Sequence, residues 1–125
     1  MAEKTILVVD DQDELRLLIS MSLHAQGRIL EASNADQALA LFAAERPDVV
    51  VLDIWLGPGP SGLDVCAQLR QDPANDGVKI VLLSACGQES DIAAGIEAGA
   101  DLYVVKPFSP LELIDAVAGL MATLP

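Results

Sequence analysis

Four short, almost wholly apolar runs decide most of what this chain can become: Ile6-Leu-Val-Val9, Val49-Val-Val-Leu52, Ile80-Val-Leu-Leu83 and Leu102-Tyr-Val-Val105. None of them alternates apolar with polar residues. As strands they would be buried on both faces, and such strands belong to a parallel sheet covered by helices. The stretches between the runs have helical spacing instead: Leu15 to Leu23, then Ala38, Leu39 and Phe42, then Leu63 to Leu69, then Ile92 to Ala98. A weaker run, Arg28-Ile-Leu-Glu-Ala32, has polar ends and fits a sheet edge. The chain therefore predicts five β-α units.

Right-handed crossovers turn five such units into a doubly wound α/β domain. Placing the weak second strand at an edge favours the order 2-1-3-4-5, a five-stranded parallel sheet in a flavodoxin-like three-layer α/β/α arrangement. With 125 residues and no linker, repeat or low-complexity segment, residues 1–125 read as one domain. Local signals punctuate it. Gly27 is a plausible stop for the first helix, Ser33 with Asp36 resembles a capping box, and Gly99 closes the fourth helix. Gly57-Pro-Gly-Pro-Ser-Gly62 is a loop by composition, and Ser109-Pro-Leu-Glu112 opens the last helix with a cap, a first-turn proline and a third-position acid.

Charge narrows the function. Nineteen acidic against seven basic residues give a net charge of −12, which disfavours nucleic acid and anionic membrane surfaces alike. Most of that acidity serves solubility, and the remainder is free to build a cation site. No apolar stretch reaches the roughly 18 residues of a membrane span, and no signal peptide is visible at the start. Cys66 and Cys86 have neither C-x-x-C spacing nor a His cluster. They are expected to be buried reduced thiols in a cytoplasmic protein, with Cys86 also a possible redox-sensitive neighbour of Ser84.

The chemistry sits at the ends of the four runs. They finish in Asp10-Asp11, in Asp53, in Ser84 and in Lys106, and in a parallel sheet these ends lie along the edge where ligands of open α/β sheets bind. Taken singly each has a bland reading: Asp10 or Asp11 could cap the helix at Asp13-Glu14, and Lys106-Pro107 could be a turn. Together they bring three carboxylates, a hydroxyl and an ammonium to one place. Three carboxylates repel, and a hard cation relieves that. Mg²⁺ takes oxygen ligands and keeps several waters. A carboxylate can also attack a phosphoryl group, whose charge on three oxygens the metal, Lys106 and Ser84 could each meet. Asp11→Asn should then weaken the response to Mg²⁺ and relieve like-charge repulsion in its absence.

At this point the chain resembles the receiver domain of two-component response regulators, similar to the chemotaxis-type receiver fold, over nearly its whole length. The pieces that carry the resemblance are Ile6-Leu-Val-Val-Asp-Asp11, Val51-Leu-Asp53-Ile, Leu83-Ser84-Ala85 and Tyr103-Val-Val-Lys106-Pro107-Phe108. The resemblance implies that Asp53 is the phosphoacceptor. It implies that Asp11 coordinates Mg²⁺ directly, that Asp10 acts largely through water, and that Trp55 lends its backbone carbonyl. Ser84 and Lys106 would bind phosphoryl oxygens, Lys106-Pro107 would be cis, and Tyr103 would be an aromatic switch that swings inward as Ser84 moves. One departure is visible. The family usually has Pro four and Gly eight residues after the phosphoacceptor, whereas here Gly57 takes the first position, Pro58 follows it and Gly62 comes nine on. This reads as a one-residue insertion.

The expected function is a phosphorylation-driven signalling switch, a phosphoacceptor domain and not an enzyme in its own right. A histidine kinase or histidine phosphotransfer protein would donate, and the face of the fourth helix, fifth strand and fifth helix would meet an output partner. Three rivals are on the table. A pseudo-receiver would lack a complete site. A haloacid-dehalogenase-like phosphatase would use Asp11 and Asp13 as its Asp pair, and a flavin protein would want a neutral phosphate loop where Asp10-Asp11 stands. His24, on the first helix, reads as a surface residue rather than a phosphodonor.

Overall fold

A computed structural model describes residues 3–124. Its five strands are β1 (Thr5–Val9), β2 (Arg28–Ala32), β3 (Val49–Asp53), β4 (Lys79–Ser84) and β5 (Leu102–Val105). Its α-helices are α1 (Asp13–Leu23), α2 (Ala35–Glu45), α3 (Gly62–Arg70), α4 (Glu89–Glu97) and α5 (Pro110–Met121). All strand pairs are parallel, and the order is β2-β1-β3-β4-β5 as expected.

Successive strand side chains point to opposite faces, and the apolar runs fill both. Leu7, Val9, Val50, Leu52, Ile80 and Leu82 meet Ala38 and Phe42 of α2 and Val65, Cys66 and Leu69 of α3. Ile6, Val8, Val49, Val51, Val81 and Leu83 meet Ile19 and Leu23 of α1 and Leu113 and Val117 of α5. This is why β3 and β4 carry no polar interruption: every residue of β3 is buried. The fourth run differs from its sequence reading as a fully covered strand. With no neighbour beyond it, β5 is an edge, its first three residues are half-buried and Val105 is exposed.

Three local expectations are corrected. The cap of α2 is Asn34, one residue past Ser33. The Asn34 side chain accepts from the Gln37 N–H at 2.9 Å, and the Gln37 Oε1 reaches back to the Ser33 N–H and hydroxyl, each at 2.9 Å. An amide carbonyl outcompeted a hydroxyl for the same orphan donor. The first helix ends at Leu23, and a 3-10 turn, His24–Gln26, separates it from Gly27. Cys66 is buried, as expected, and burial pushes its thiol up to about 11. Cys86, however, is exposed, because the chain has already left β4 for the loop ahead of α4. His24 is exposed, and among the described residues no helix is long and apolar enough to cross a membrane.

The Asp cluster at the sheet edge

The register places the site. Val9 lies opposite Leu52, so Asp10 and Asp53 leave adjacent strands side by side, and Ser84 lies opposite Val105, one residue short of Lys106. Backbone bonds continue the ladder past the last paired residues, from Ile54 N–H to the Leu83 carbonyl at 2.9 Å and from Lys106 N–H to the Ser84 carbonyl at 2.8 Å. Side chains that sequence separates by almost a hundred residues are thereby fixed within one shallow cluster.

The carboxylates of Asp10, Asp11 and Asp53 each offer an oxygen within 4.8 Å of the others, the cluster of this kind found among the described residues. Asp10 and Asp53 are buried, and Asp11 is exposed. The Lys106 Nζ lies 2.6 Å from Asp53 Oδ2, and the Trp55 N–H donates to Asp53 Oδ1 at 3.1 Å. Asp10 Oδ1 accepts from the Gln12 N–H at 2.8 Å, while its Oδ2 is sealed from water and has no hydrogen-bond partner among the described residues. Burial pushes the Asp10 carboxyl up to about 6; the Gln12 N–H opposes the shift and the charge of Asp53 adds to it. A buried acceptor with no donor is costly, and a cation is the partner that satisfies it without adding another negative charge.

The helix-cap alternative for the Asp pair does not hold. Gln12 occupies the capping position of α1 and makes no side-chain cap bond, so both carboxylates are left for the cluster. Asp13 pairs with Arg16 at 2.7 Å on the surface of α1 and stands outside the cluster, which removes the paired aspartates that a dehalogenase reading requires. Trp55 is 72% exposed. Ser84 is buried, with its Oγ accepting from the Cys86 N–H at 3.0 Å, and Tyr103 donates its hydroxyl to the Cys86 carbonyl at 2.6 Å. The Lys106-Pro107 bond is cis.

Two supports escaped the sequence reading. Arg16 donates to the backbone carbonyl of Asp10 at 2.9 Å and to Glu31 of β2 at 3.1 Å, which pins the loop carrying the Asp pair. Only its Asp13 partner at i−3 was visible as a signal. Gly62 opens α3 directly against Asp53: a Cβ there would run into the Asp53 carbonyl oxygen. The loop ahead of it turns through Gly57 at φ 82° and Gly59 at φ 99°.

The family model described as the response regulator receiver domain matches residues 6–118. The phosphate regulon transcriptional regulatory protein PhoB of Pseudomonas aeruginosa is 42% identical over 115 residues, which cover 91% of this chain and 50% of that protein. The transcriptional regulatory protein ResD of Bacillus subtilis is 40% identical over 120 residues, covering 95% and 48%. The chain thus spans about half the length of these curated relatives. The BeF₃-activated receiver domain of DrrB, an OmpR/PhoB homologue from Thermotoga maritima, superposes with a TM-score of 0.87 at 30% identity, over 97% of this chain and 99% of that one.

Proposed function

The chain belongs to the response regulator receiver domain family, and we propose that it is a phosphorylation-controlled signalling switch whose phosphoacceptor is Asp53. The observation that carries this reading is the setting of the Asp53 carboxylate. It is buried, held on one oxygen by Lys106 and on the other by the Trp55 N–H, and flanked by two further aspartates. Residues 1–125 form, on this reading, one receiver domain, cytoplasmic and a phosphoacceptor rather than a turnover enzyme. Its donor is a histidine kinase or histidine phosphotransfer protein, and its output surface is α4–β5–α5.

An oxygen of Asp53 attacks phosphorus as the bond from phosphorus to the donor's protonated phosphoimidazole breaks. The ring nitrogen takes the bonding electrons, and the ring leaves as neutral imidazole with the proton already on its other nitrogen, while Asp53 carries the acyl phosphate. Lys106 holds the nucleophile in place and offers its charge to the incoming oxygens. Ser84 accepts the Cys86 N–H and so keeps its own O–H free to donate to a phosphoryl oxygen. Asp10, Asp11, Asp53 and the Trp55 carbonyl would hold a Mg²⁺ ion, for which the unpartnered Asp10 oxygen is a fitting ligand. When bound, that ion neutralises carboxylate and phosphoryl charge.

Acetyl phosphate with Mg²⁺ should add one phosphoryl group, read by intact mass, and Asp53→Ala should abolish the addition. Modification of Asp53→Ala at the wild-type level would exclude Asp53 as acceptor, and an unreactive wild-type protein would favour the pseudo-receiver. A second expected outcome uses the lone tryptophan. Because the Trp55 backbone is tied to Asp53, its fluorescence should titrate with Mg²⁺ and shift again with beryllofluoride. Trp55→Ala should also lose its phosphoryl group faster, with the bulky neighbour removed. A flat titration together with unchanged dephosphorylation would assign Trp55 no part in the site.

A further inference from the structure

Helix α4 has an unusual footing on the sheet. Among its described residues Gly95 alone is buried, in mid-helix, where glycine costs roughly 1 kcal/mol relative to alanine. The space around it explains the choice. A Cβ on Gly95 would lie 2.7 Å from Cδ2 and 3.1 Å from Cε2 of the Tyr103 ring, and 3.1 Å from Cδ1 of Leu82. The helix therefore rests on the tyrosine ring itself. The hydroxyl of that ring donates to the Cys86 carbonyl, and the Cys86 N–H donates to Ser84 Oγ, so two hydrogen bonds through one residue's backbone connect the ring to Ser84. Ser84, Cys86, Ile54 and Tyr103 also border a small cavity of about 110 Å³, which leaves this loop room to move if the tie is cut.

We propose that Gly95 is a positioning residue for Ser84: by leaving the space that the Tyr103 ring occupies under α4, it keeps the Tyr103 hydroxyl on Cys86 and the loop that orients Ser84 Oγ in place. This rests on Ser84 being a phosphoryl-binding group, as proposed above. Leu82 is wholly buried between two layers and cannot yield, whereas Tyr103 stands half-buried on the edge strand β5. A methyl group at position 95 therefore displaces the ring, and the hydroxyl leaves Cys86. The same methyl raises helix propensity, so helix stability and site organisation respond in opposite directions.

The test uses Gly95→Ala, Tyr103→Ala and the double variant, with beryllofluoride affinity in Mg²⁺ and denaturant stability measured separately. Gly95→Ala should weaken beryllofluoride binding about tenfold, the scale of overpacking one methyl group. Tyr103→Ala should weaken it by a similar factor, and the double variant should be no worse than Tyr103→Ala, since the methyl then meets only Leu82, which has no tie to Cys86 or Ser84. Tyr103→Phe keeps the ring and loses only the bond to Cys86, so it should weaken binding with little change in stability. Wild-type affinity in Gly95→Ala, or the full loss repeated in the Tyr103→Ala background, would overturn the inference. Failure of the wild-type protein to bind beryllofluoride would instead strike the phosphoacceptor reading. The positioning role is then read without ligand, from the amide resonances of Ser84 and Cys86, and resonances that do not move in Gly95→Ala would refute it.

Discussion

Asp10→Asn should make the metal-free protein more stable than the wild type by on the order of 2–3 kcal/mol at pH 7.5, and the advantage should disappear below about pH 4. Burial holds the Asp10 carboxyl near 6 in the folded protein, against an ordinary value of 3.8. Below the ordinary value both folded and unfolded chains are protonated and nothing is lost. As pH rises from 4 to 6 the unfolded chain releases its proton first, so folding becomes progressively less favourable, and above 6 the full penalty remains. Asparagine carries no charge, and its carbonyl can keep the bond from the Gln12 N–H. With millimolar Mg²⁺ the comparison should narrow or reverse, because a cation that binds the native carboxylates stabilises by mass action and the variant has lost a ligand. Urea unfolding at pH 4, 5 and 7.5, with and without Mg²⁺, decides it. A variant less stable than wild type at pH 7.5 without metal, by an amount that pH does not change, would sink the account. The repulsion expected to be relieved by Asp11→Asn is a separate effect; the one argued for Asp10 comes from its being cut off from water.

What the sequence made legible follows from burial on two faces. A run such as Val49-Val-Val-Leu52 must be apolar throughout, and the reactive residue that closes its strand, Asp53, marks the sheet edge. Three such ends, and that of the half-buried edge strand β5, named the site residues, and the register then placed Asp10, Asp53, Ser84 and Lys106 as neighbours. The misses have a different character. Asn34 against Ser33 was a contest between adjacent caps, settled by which side chain reaches the Gln37 N–H. Cys86 sits in apolar sequence but beyond the last strand residue, where apolar context no longer means burial. Arg16 and Gly95 act across from a helix to the sheet and its loops, so their tasks exist only once helices are packed on the sheet. The receiver resemblance supplied roles for Trp55 and Tyr103 that no periodicity carries.

Gly62→Ala should be among the most damaging single substitutions in the chain, costing about 3 kcal/mol or more. Its φ lies outside the left-handed region, so the requirement for glycine is one of space. The obstacles to a side chain are the Asp53 carbonyl oxygen, the Ile54 Cα at 2.8 Å and the Asp53 carbonyl carbon at 2.9 Å, all backbone, so no rotamer change can give way. The Gly62 N–H also donates to the Ile54 carbonyl at 2.7 Å, which holds α3 against the end of β3. An alanine must push one from the other. Moving α3 strains the Ser61–Asp64 capping box, and moving β3 carries Asp53 away from Lys106. Two other glycines calibrate the claim. Gly59→Ala meets nothing within 4 Å but keeps φ at +99°, so backbone strain alone should cost about 1–2 kcal/mol. Gly77→Ala meets nothing and needs no positive φ, so it should be near neutral. Denaturant unfolding should rank the losses Gly62, Gly59, Gly77. The folded fraction of Gly62→Ala should also react more slowly with acetyl phosphate, because the strain lands on Asp53, the carboxylate we propose as the phosphoacceptor. A Gly62→Ala protein as stable as Gly77→Ala would mean that the loop from Gly57 to Ser61 can absorb the displacement, and that the close approach of Gly62 to Asp53 is not needed to hold the site.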